Sequence, residues 1–185
     1  MKKIVILFSG NGTNLEAIAE AVQEEKSIEI VCALSNKADA YGIKRAEKFG
    51  IKTEILEHTN FSSREEYDKA LVATLKPYNP DLIVLAGFMR ILTPIFVDAF
   101  KNIINIHPSL LPLFKGSNAI EQSFNSDMKV AGVTVHKVTS ELDSGQILAQ
   151  ECFNSDGLNW EEFNTKIKEI EHRIYPSVVK QLLLG

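Results

Sequence analysis

The sequence has few of the features that mark disulfide-stabilised, metal-finger or membrane proteins. Cys32 and Cys152 are the only cysteines among 185 residues, and their spacing fits neither a CxxC motif nor a zinc finger. Both are predicted to be reduced core residues of a cytoplasmic protein, because disulfide-stabilised domains are secreted and rich in cysteine. No apolar run approaches the roughly 20 residues of a membrane-spanning helix, so no membrane partner is expected.

The charge balance shows no excess of basic residues. Lys and Arg total 20 against 24 Asp and Glu, which gives a net charge of -4. Nucleic-acid-binding faces are usually basic, so nucleic acid is not expected as a partner. The four histidines form no HxH or HExxH pair, and no metal site is predicted. A monomer or weak homodimer is expected, since no extended apolar surface stripe is visible.

Short apolar runs alternate with amphipathic stretches along the chain, which is typical of βαβ units on a parallel sheet. The predicted fold is therefore α/β and Rossmann-like, with a mostly parallel sheet flanked by helices and an antiparallel edge in the C-terminal half. No linker or repeat interrupts the pattern, so residues 1–185 are predicted to form one domain. Strands are predicted at 4–8, 28–34, 53–56, 82–86, 103–106, 130–136 and 146–152.

The helix predictions rest on apolar residues that recur every three or four positions. A long C-terminal helix is predicted from Trp160 to Leu182 on this spacing. Asn159 with Glu162 three residues later has the pattern of a capping box and predicts where this helix begins. Shorter helices are predicted at 14–24, 42–49, 64–76, 94–100 and 119–125.

Asn105 and His107 stand two positions apart in an apolar segment that meets Pro108. Strand side chains alternate between faces, so the amide and the imidazole point the same way. Proline fixes φ and removes an N–H, so the strand should stop at His107. Open α/β sheets bind ligands beyond the carboxyl ends of their strands, which makes this pair a candidate for polarising a carbonyl. A strand-end cap and a hydrogen-bonded core histidine are the alternatives.

A glycine loop, residues 9–14 (SGNGTN), joins the first strand to the first helix. Glycines let a ligand approach the backbone closely, and a helix N-terminus offers free N–H groups to an anion. Leu15 replaces the third glycine of a dinucleotide fingerprint, and no Walker Lys-Ser/Thr follows. A turn and helix cap without ligand is the alternative. The residues predicted to suit one phosphate monoester are Asn11, Gly12, Thr13 and Asn14.

Asp143 lies in a polar loop between the last two predicted strands. Such a loop beside the sheet edge could carry its carboxylate to His107, where it would stabilise the imidazolium. In acyl transfer, His107 would then donate to a developing oxyanion while Asp143 helps to collect an amine proton. A turn-forming role is the alternative for Asp143. His136, at the end of its own strand, is predicted to be a structural histidine.

Five sequence blocks resemble the folate-dependent formyltransferases, most closely the branch that formylates glycinamide ribonucleotide. They occur in the family's order and span nearly the whole chain. The run 105–112 is shared by the wider formyl-folate superfamily, whereas the first and last blocks narrow the resemblance to this branch. The blocks are 8–15 (FSGNGTNL), 85–92 (LAGFMRIL), 105–112 (NIHPSLLP), 141–145 (ELDSG) and 171–176 (EHRIYP).

The resemblance implies transfer of the formyl group of 10-formyltetrahydrofolate to the amine of 5'-phosphoribosylglycinamide in purine biosynthesis. Asn105, His107 and Asp143 match the family's catalytic trio. The glycine loop would hold the ribonucleotide phosphate, and Glu171 would hold its ribose or glycinamide end. The folate would contact Asn105 together with Arg64, Met89, Arg90, Ile91, Leu92, Val138, Thr139, Ser140, Glu141 and Leu142.

The segment after Pro112 departs from the family pattern, because many members place a His-x-His pair where this chain reads LFKGSNAI at 113–120. Lys115 or Asn118 is expected to contact substrate there instead. Three other functions stay open: hydrolysis of formyl-folate, formylation of aminoacyl-tRNA, which the acidic balance disfavours, and a non-catalytic nucleotide-phosphate binding domain.

Overall fold

The computed structural model describes residues 1–185 and contains one seven-stranded sheet. The strands are β1 (Lys2–Phe8), β2 (Ile28–Ser35), β3 (Thr53–Ile55), β4 (Leu82–Leu85), β5 (Ile103–His107), β6 (Val130–Lys137) and β7 (Ile147–Asn154). Their order in the sheet is β3-β2-β1-β4-β5-β6-β7. Strands β1 to β5 pair in parallel, and β6 and β7 add an antiparallel edge. The predicted fold class is confirmed.

Six α-helices connect the strands or follow them: α1 (Thr13–Val22), α2 (Gly42–Lys48), α3 (Arg64–Leu75), α4 (Pro94–Val97), α5 (Ala119–Phe124) and α6 (Trp160–Leu184). The capping box at the start of α6 is confirmed, because Asn159 accepts the N–H of Glu162 while the Glu162 carboxylate accepts the N–H of Asn159. None of the helices combines the length and apolarity needed to cross a bilayer.

Two apolar cores cover the two faces of the sheet, and β1 contributes to both. Ile4 and Ile6 pack in the larger core with α1 and α6, whereas Val5 and Leu7 pack in the smaller core with α3 and α4. Alternation along a strand explains the division. A strand buried on both faces needs a continuous apolar run, and each such side chain stabilises the fold by about 1.5–3 kcal/mol.

Tyr175 joins α6 to the middle of the sheet. Its side chain is fully buried, and its hydroxyl lies 2.8 Å from the carbonyl of Leu85 in β4 and 3.2 Å from that of Ile104 in β5. The two carbonyl oxygens share the single proton that the hydroxyl donates. The helix is thereby tied to two neighbouring strands at one point.

Several element boundaries differ from the predictions. Strand β7 begins and ends one or two residues later than predicted, because the loop from β6 extends through Gln146. Helix α4 stops at Val97 instead of residue 100, since the N–H of Ala99 bonds to Phe96 three residues back and the last turn tightens. Strand ends depend on pairing partners, which local patterns do not report.

Candidate active site

Asn105 and His107 project from the same face of β5 at its carboxyl end. Ile104 and Ile106 are buried in the core shared with α1 and α6, so the amide and the imidazole point to the opposite face. The carboxyl ends of β1, β4 and β5 lie side by side in the sheet. The pair therefore stands next to the loops that follow β1 and β4.

The carboxylate of Asp143 lies between two imidazole rings. Its Oδ2 is 3.5 Å from Nδ1 of His107 and accepts a 2.9 Å hydrogen bond from the N–H of Gly116. Its Oδ1 is 3.6 Å from Nε2 of His136. Asp143 has a φ of 47°, in the left-handed region that aspartate tolerates better than most residues. The structure thus brings together the three residues of the predicted trio.

The surroundings of Asp143 favour the charged form of its carboxyl group. Burial by itself would raise the pKa of this carboxyl, whose side chain is only 8% exposed. The hydrogen bond from Gly116 and the charge of His107 outweigh that effect and hold the pKa of Asp143 below its ordinary value. Asp143 is therefore ionised at neutral pH.

Both ring nitrogens of His107 face hydrogen-bond acceptors. Nε2 donates to the carbonyl of Phe114 at 2.8 Å, so this nitrogen carries a proton. Nδ1 faces the Asp143 carboxylate, an arrangement that suits the doubly protonated imidazolium. Because the Nδ1 to Oδ2 distance of 3.5 Å is longer than a strong charge-assisted hydrogen bond, the Nδ1–H remains able to donate to another group in the site.

His136 belongs to this cluster, although the sequence interpretation made it only structural. Its Nδ1 donates to the carbonyl of Lys137 at 2.8 Å, which leaves Nε2 to accept from Nδ2 of Asn105 at 3.3 Å. Asn105 and His136 are direct partners in the β5–β6 ladder. His136 therefore orients the amide while the second amide N–H stays free. Knowing the register of β5 and β6 would have revealed the contact between His136 and Asn105, but the local sequence pattern does not specify that register.

A cavity of about 520 Å³ opens beside these side chains. Asn105, His107, His136 and Asp143 lie in its wall, and the volume is in the range of small-molecule sites. Two loops complete the wall, one after β4 and one after β6. They contribute the predicted folate contacts Met89, Arg90, Ile91, Leu92, Val138, Thr139, Ser140, Glu141 and Leu142.

Arg64 is the predicted folate contact that lies outside the cavity wall. It is the first residue of α3, and it is exposed. Arg90 is the guanidinium in the wall; it lies 6.0 Å from the ring centroid of Tyr67, and its Nε is buried without a hydrogen-bond partner. Arg90 therefore lines the cavity, whereas Arg64 does not.

The glycine loop offers unpaired backbone donors at the start of α1. Gly12 occupies the N-cap with a φ of 71°, and no side chain caps the helix. The backbone N–H groups of residues 11–15 donate to no other backbone group. Free N–H groups at a helix N-terminus attract anions through hydrogen bonding and the helix dipole.

Glu171 and Asn14 meet where α6 crosses the start of α1. Nδ2 of Asn14 donates to Oε2 of Glu171 at 3.2 Å, and the Asn14 Oδ1 atom is buried without a partner. Burial raises the pKa of Glu171 to about 7, a shift that Asn14 and Lys168 offset only in part. This carboxyl consequently exchanges a proton near neutral pH. It lies outside the wall of the cavity.

The glycine loop, the strand-end Asn-x-His and the aspartate loop come from segments that span nearly the whole chain. The similarity of this chain to known proteins has the same extent. The family described as formyl transferase matches residues 2–179. This chain belongs to the formyl transferase family. The predicted membership is thereby confirmed.

Individual members of the formyl transferase family are similar over most of the chain. Phosphoribosylglycinamide formyltransferase of Escherichia coli is 43% identical over 181 residues, which cover 95% of this chain and 84% of that protein. The crystal structure of the Campylobacter jejuni enzyme of the same name is 51% identical with a TM-score of 0.95, and the match covers 98% and 97% of the two chains. The trifunctional purine biosynthetic protein adenosine-3 of Gallus gallus is 42% identical, but the chain spans only 18% of its length.

In this formyl transferase the segment after Pro112 supports the site through its backbone. Gly116 and Ser117 line the cavity, whereas Lys115 and Asn118, the two residues expected to contact substrate, do not. Lys115 instead donates to the hydroxyl of Ser144 at 2.6 Å. No group of three or more His, Cys, Asp or Glu side chains is placed to hold a metal ion.

Proposed function

We propose that this chain transfers the formyl group of 10-formyltetrahydrofolate to the amine of 5'-phosphoribosylglycinamide, a step of purine biosynthesis. The observation that carries the proposal is the convergence of Asn105, His107 and Asp143 on one cavity beside an uncapped helix N-terminus. The full-length similarity to phosphoribosylglycinamide formyltransferases supports it.

The cavity suits the folate donor. Its size fits a bicyclic ring with an attached aromatic group, and its loops after β4 and β6 present both apolar side chains and backbone groups. We propose that these loops hold the ring system with Asn105 and Asp143 at the reactive end. Arg64, exposed at the start of α3, is expected to meet the negatively charged glutamate tail where it leaves the cavity.

The glycine loop suits the phosphate of the acceptor. Asn11, Gly12, Thr13 and Asn14 provide backbone N–H groups and short polar side chains at the start of α1. We propose that Glu171, adjacent to Asn14, accepts hydrogen bonds from the ribose or glycinamide portion. Because the ends of β1, β4 and β5 are neighbours in the sheet, an acceptor bound in this way would lie next to the donor.

The chemistry is a direct transfer between the two bound substrates. The neutral acceptor amine attacks the formyl carbon, and a new C–N bond forms as the carbonyl oxygen becomes an oxyanion. The free N–H of Asn105 and the Nδ1–H of His107 stabilise that oxyanion, and Asp143 stabilises the imidazolium. The tetrahedral intermediate then collapses, the bond to the folate nitrogen breaks, and the amine proton passes to the leaving nitrogen with help from Asp143.

The test is to incubate the protein with 10-formyltetrahydrofolate, with and without 5'-phosphoribosylglycinamide, and to follow deformylation by absorbance. We expect turnover only when the acceptor is present. Equal turnover without the acceptor would identify a hydrolase, and absence of turnover would identify a binding domain; either result contradicts the proposal. The monomer or weak homodimer and the cytoplasmic location stay predictions.

A further inference from the structure

The first turn of α2 packs directly on the glycine loop. The N–H of Gly42 donates to the carbonyl of Gly10 at 3.0 Å, and Nε of Arg45 donates to the carbonyl of Asn11 at 2.9 Å. A Cβ at Gly12 would lie 2.6 Å from Cα of Gly42, so the two backbones touch with no room for a side chain. Loop and helix are therefore in fixed contact.

These two hydrogen bonds determine where the loop's donors point. In a trans peptide the C=O and the following N–H lie on opposite sides of the bond. Since the carbonyls of Gly10 and Asn11 face α2, the N–H groups of Asn11 and Gly12 face away from it. Arg45 in particular fixes the peptide plane that carries the Gly12 N–H.

Arg45 also neutralises an acidic residue at the start of α1. Glu16 lies in the first turn of α1, where a carboxylate would repel a bound phosphate. The Arg45 guanidinium forms an ion pair with Glu16, and Lys48 adds a second contact at 3.2 Å. The guanidinium is held further by the Tyr41 ring, whose centroid is 5.2 Å from Cζ. The half-buried Arg45 side chain thus affects both the direction of the loop N–H groups and the charge of the nearby Glu16.

We propose that Arg45 is a positioning residue for the phosphate group of the acceptor: it aims the loop N–H groups and cancels the charge of Glu16 without contacting the reacting atoms. The inference rests on the proposed function, in that the glycine loop holds a phosphate. It assigns to α2, which contributes nothing to the cavity wall, a role in the affinity for one substrate only.

The experiment compares Arg45→Gln with wild type in steady-state kinetics and in calorimetric titration with inorganic phosphate. We expect the KM for the acceptor and the Kd for inorganic phosphate each to rise about 10- to 100-fold, the range expected for losing a hydrogen bond to a charged group. The KM for the folate and kcat should change less than about twofold. Lys48→Gln is the matched control, because it removes a Glu16 contact but no loop contact, and it should leave both values within about twofold.

Two further variants separate the effect of the Arg45 charge from its effect on the direction of the loop N–H groups. Arg45→Lys keeps a cation beside Glu16 and should recover part of the affinity, and so should the double variant Arg45→Gln with Glu16→Gln. The proposal is overturned when Arg45→Gln leaves the acceptor KM and the phosphate Kd within twofold of wild type, or raises the KM of both substrates equally. If Arg45→Gln does not fold, Arg45→Lys decides by the same criteria. A wild-type protein that binds phosphate but formylates nothing contradicts the proposed function and leaves the phosphate titration as the test of Arg45.

Discussion

Asp143 and Glu171 are both withdrawn from solvent, yet their pKa values shift in opposite directions. Burial favours the protonated form in both cases. Asp143 has the His107 ring and the Gly116 N–H beside it, and they hold its pKa low; Glu171 has a single amide from Asn14 and a more distant Lys168, so burial prevails. Burial acts in the same direction on both carboxyls, so the difference in their pKa values comes from their partners. The Asp143 carboxylate of the proposed donor site therefore stays charged near neutral pH, whereas the Glu171 carboxyl of the proposed acceptor site titrates there.

The largest expected effect comes from removing the constant charge. Asp143→Asn keeps the shape of the side chain but loses the charge that stabilises the His107 imidazolium, and we expect kcat to fall about 10²- to 10⁴-fold. Steady-state rates at saturating substrates measure it. Asp156→Asn is the control, since it removes an exposed carboxylate paired with Lys129 and should leave kcat unchanged. A loss smaller than about tenfold would contradict the assigned role.

The second effect concerns the neutral donor of the same site. Asn105→Ala removes one amide that faces the developing oxyanion, and we expect kcat to fall about 10²- to 10³-fold, or ~3–4 kcal/mol. His107→Ala is expected to act similarly. Asn102→Ala, at an exposed amide just before β5, is the comparison variant and should keep normal turnover. Near-normal turnover in Asn105→Ala would remove that residue from the mechanism.

The third effect distinguishes Glu171 by its pH dependence. A pKa raised to about 7 in the folded state means that its stabilising contribution is present below the ordinary pKa of 4.5 and is lost as the pH rises through about 7. The free energy of unfolding of wild type should therefore fall relative to Glu171→Gln by up to about 3 kcal/mol from pH 4.5 to 8. Urea unfolding at several pH values measures this difference.

The contribution of Asp143 to the free energy of unfolding has the opposite pH dependence. Its lowered pKa gives a contribution that is present above its ordinary value of 3.8 and is lost as the pH falls through the still lower folded value. That window lies below pH 4, so Asp143 adds no slope where Glu171 titrates. Parallel wild-type and Glu171→Gln curves across pH 4.5 to 8 would show that the two carboxyls do not differ in this way.

The smallest effect concerns Ser9, which lies between the two sites. Its side chain is buried, its hydroxyl accepts the N–H of Met89 at 2.8 Å and donates to Oδ1 of Asn36, and its N–H donates to the carbonyl of Gly87. Ser9→Ala leaves the Met89 N–H and the buried Oδ1 of Asn36 without this partner and should lower the free energy of unfolding by about 1–3 kcal/mol.

A matched serine and the kinetics of Ser9→Ala complete this test. Ser27→Ala, at an exposed serine, should change stability by less than about 0.5 kcal/mol. Because Ser9 contacts the loop after β4 and begins the glycine loop, we expect Ser9→Ala to raise the KM of both substrates. A rise for one substrate alone would mean that the two sites are held independently.

Local patterns were enough to predict the sheet, the capping box of α6 and the shared direction of Asn105 and His107. Each depends on neighbours within a few residues, such as strand alternation or the three-residue spacing of a cap. The proximity of Asp143 to His107 also agrees with the prediction, because both stand at the carboxyl edge of the sheet.

Contacts between distant segments were not predictable in the same way. The pairing of His136 with Asn105 depends on the register of two strands, and the hydrogen bond from His107 to the Phe114 carbonyl depends on the path of an irregular loop. The position of Arg64 outside the cavity wall depends on the direction of α3. Residue type identifies chemistry at these positions, but tertiary packing decides which groups meet.

Tyr175 helps to fix the separation between Glu171 and the donor cavity, which matters for the proposed reaction. Glu171 stands one helical turn before it on α6, and the strands that receive its hydroxyl carry Asn105 and the loop around the donor cavity. Sliding α6 along the sheet would break this hydrogen bond before it moved Glu171 by a residue. Reaction rates change steeply when reacting groups are displaced by 1 Å. A fully buried tyrosine thus helps to fix the position of Glu171 relative to the proposed donor site.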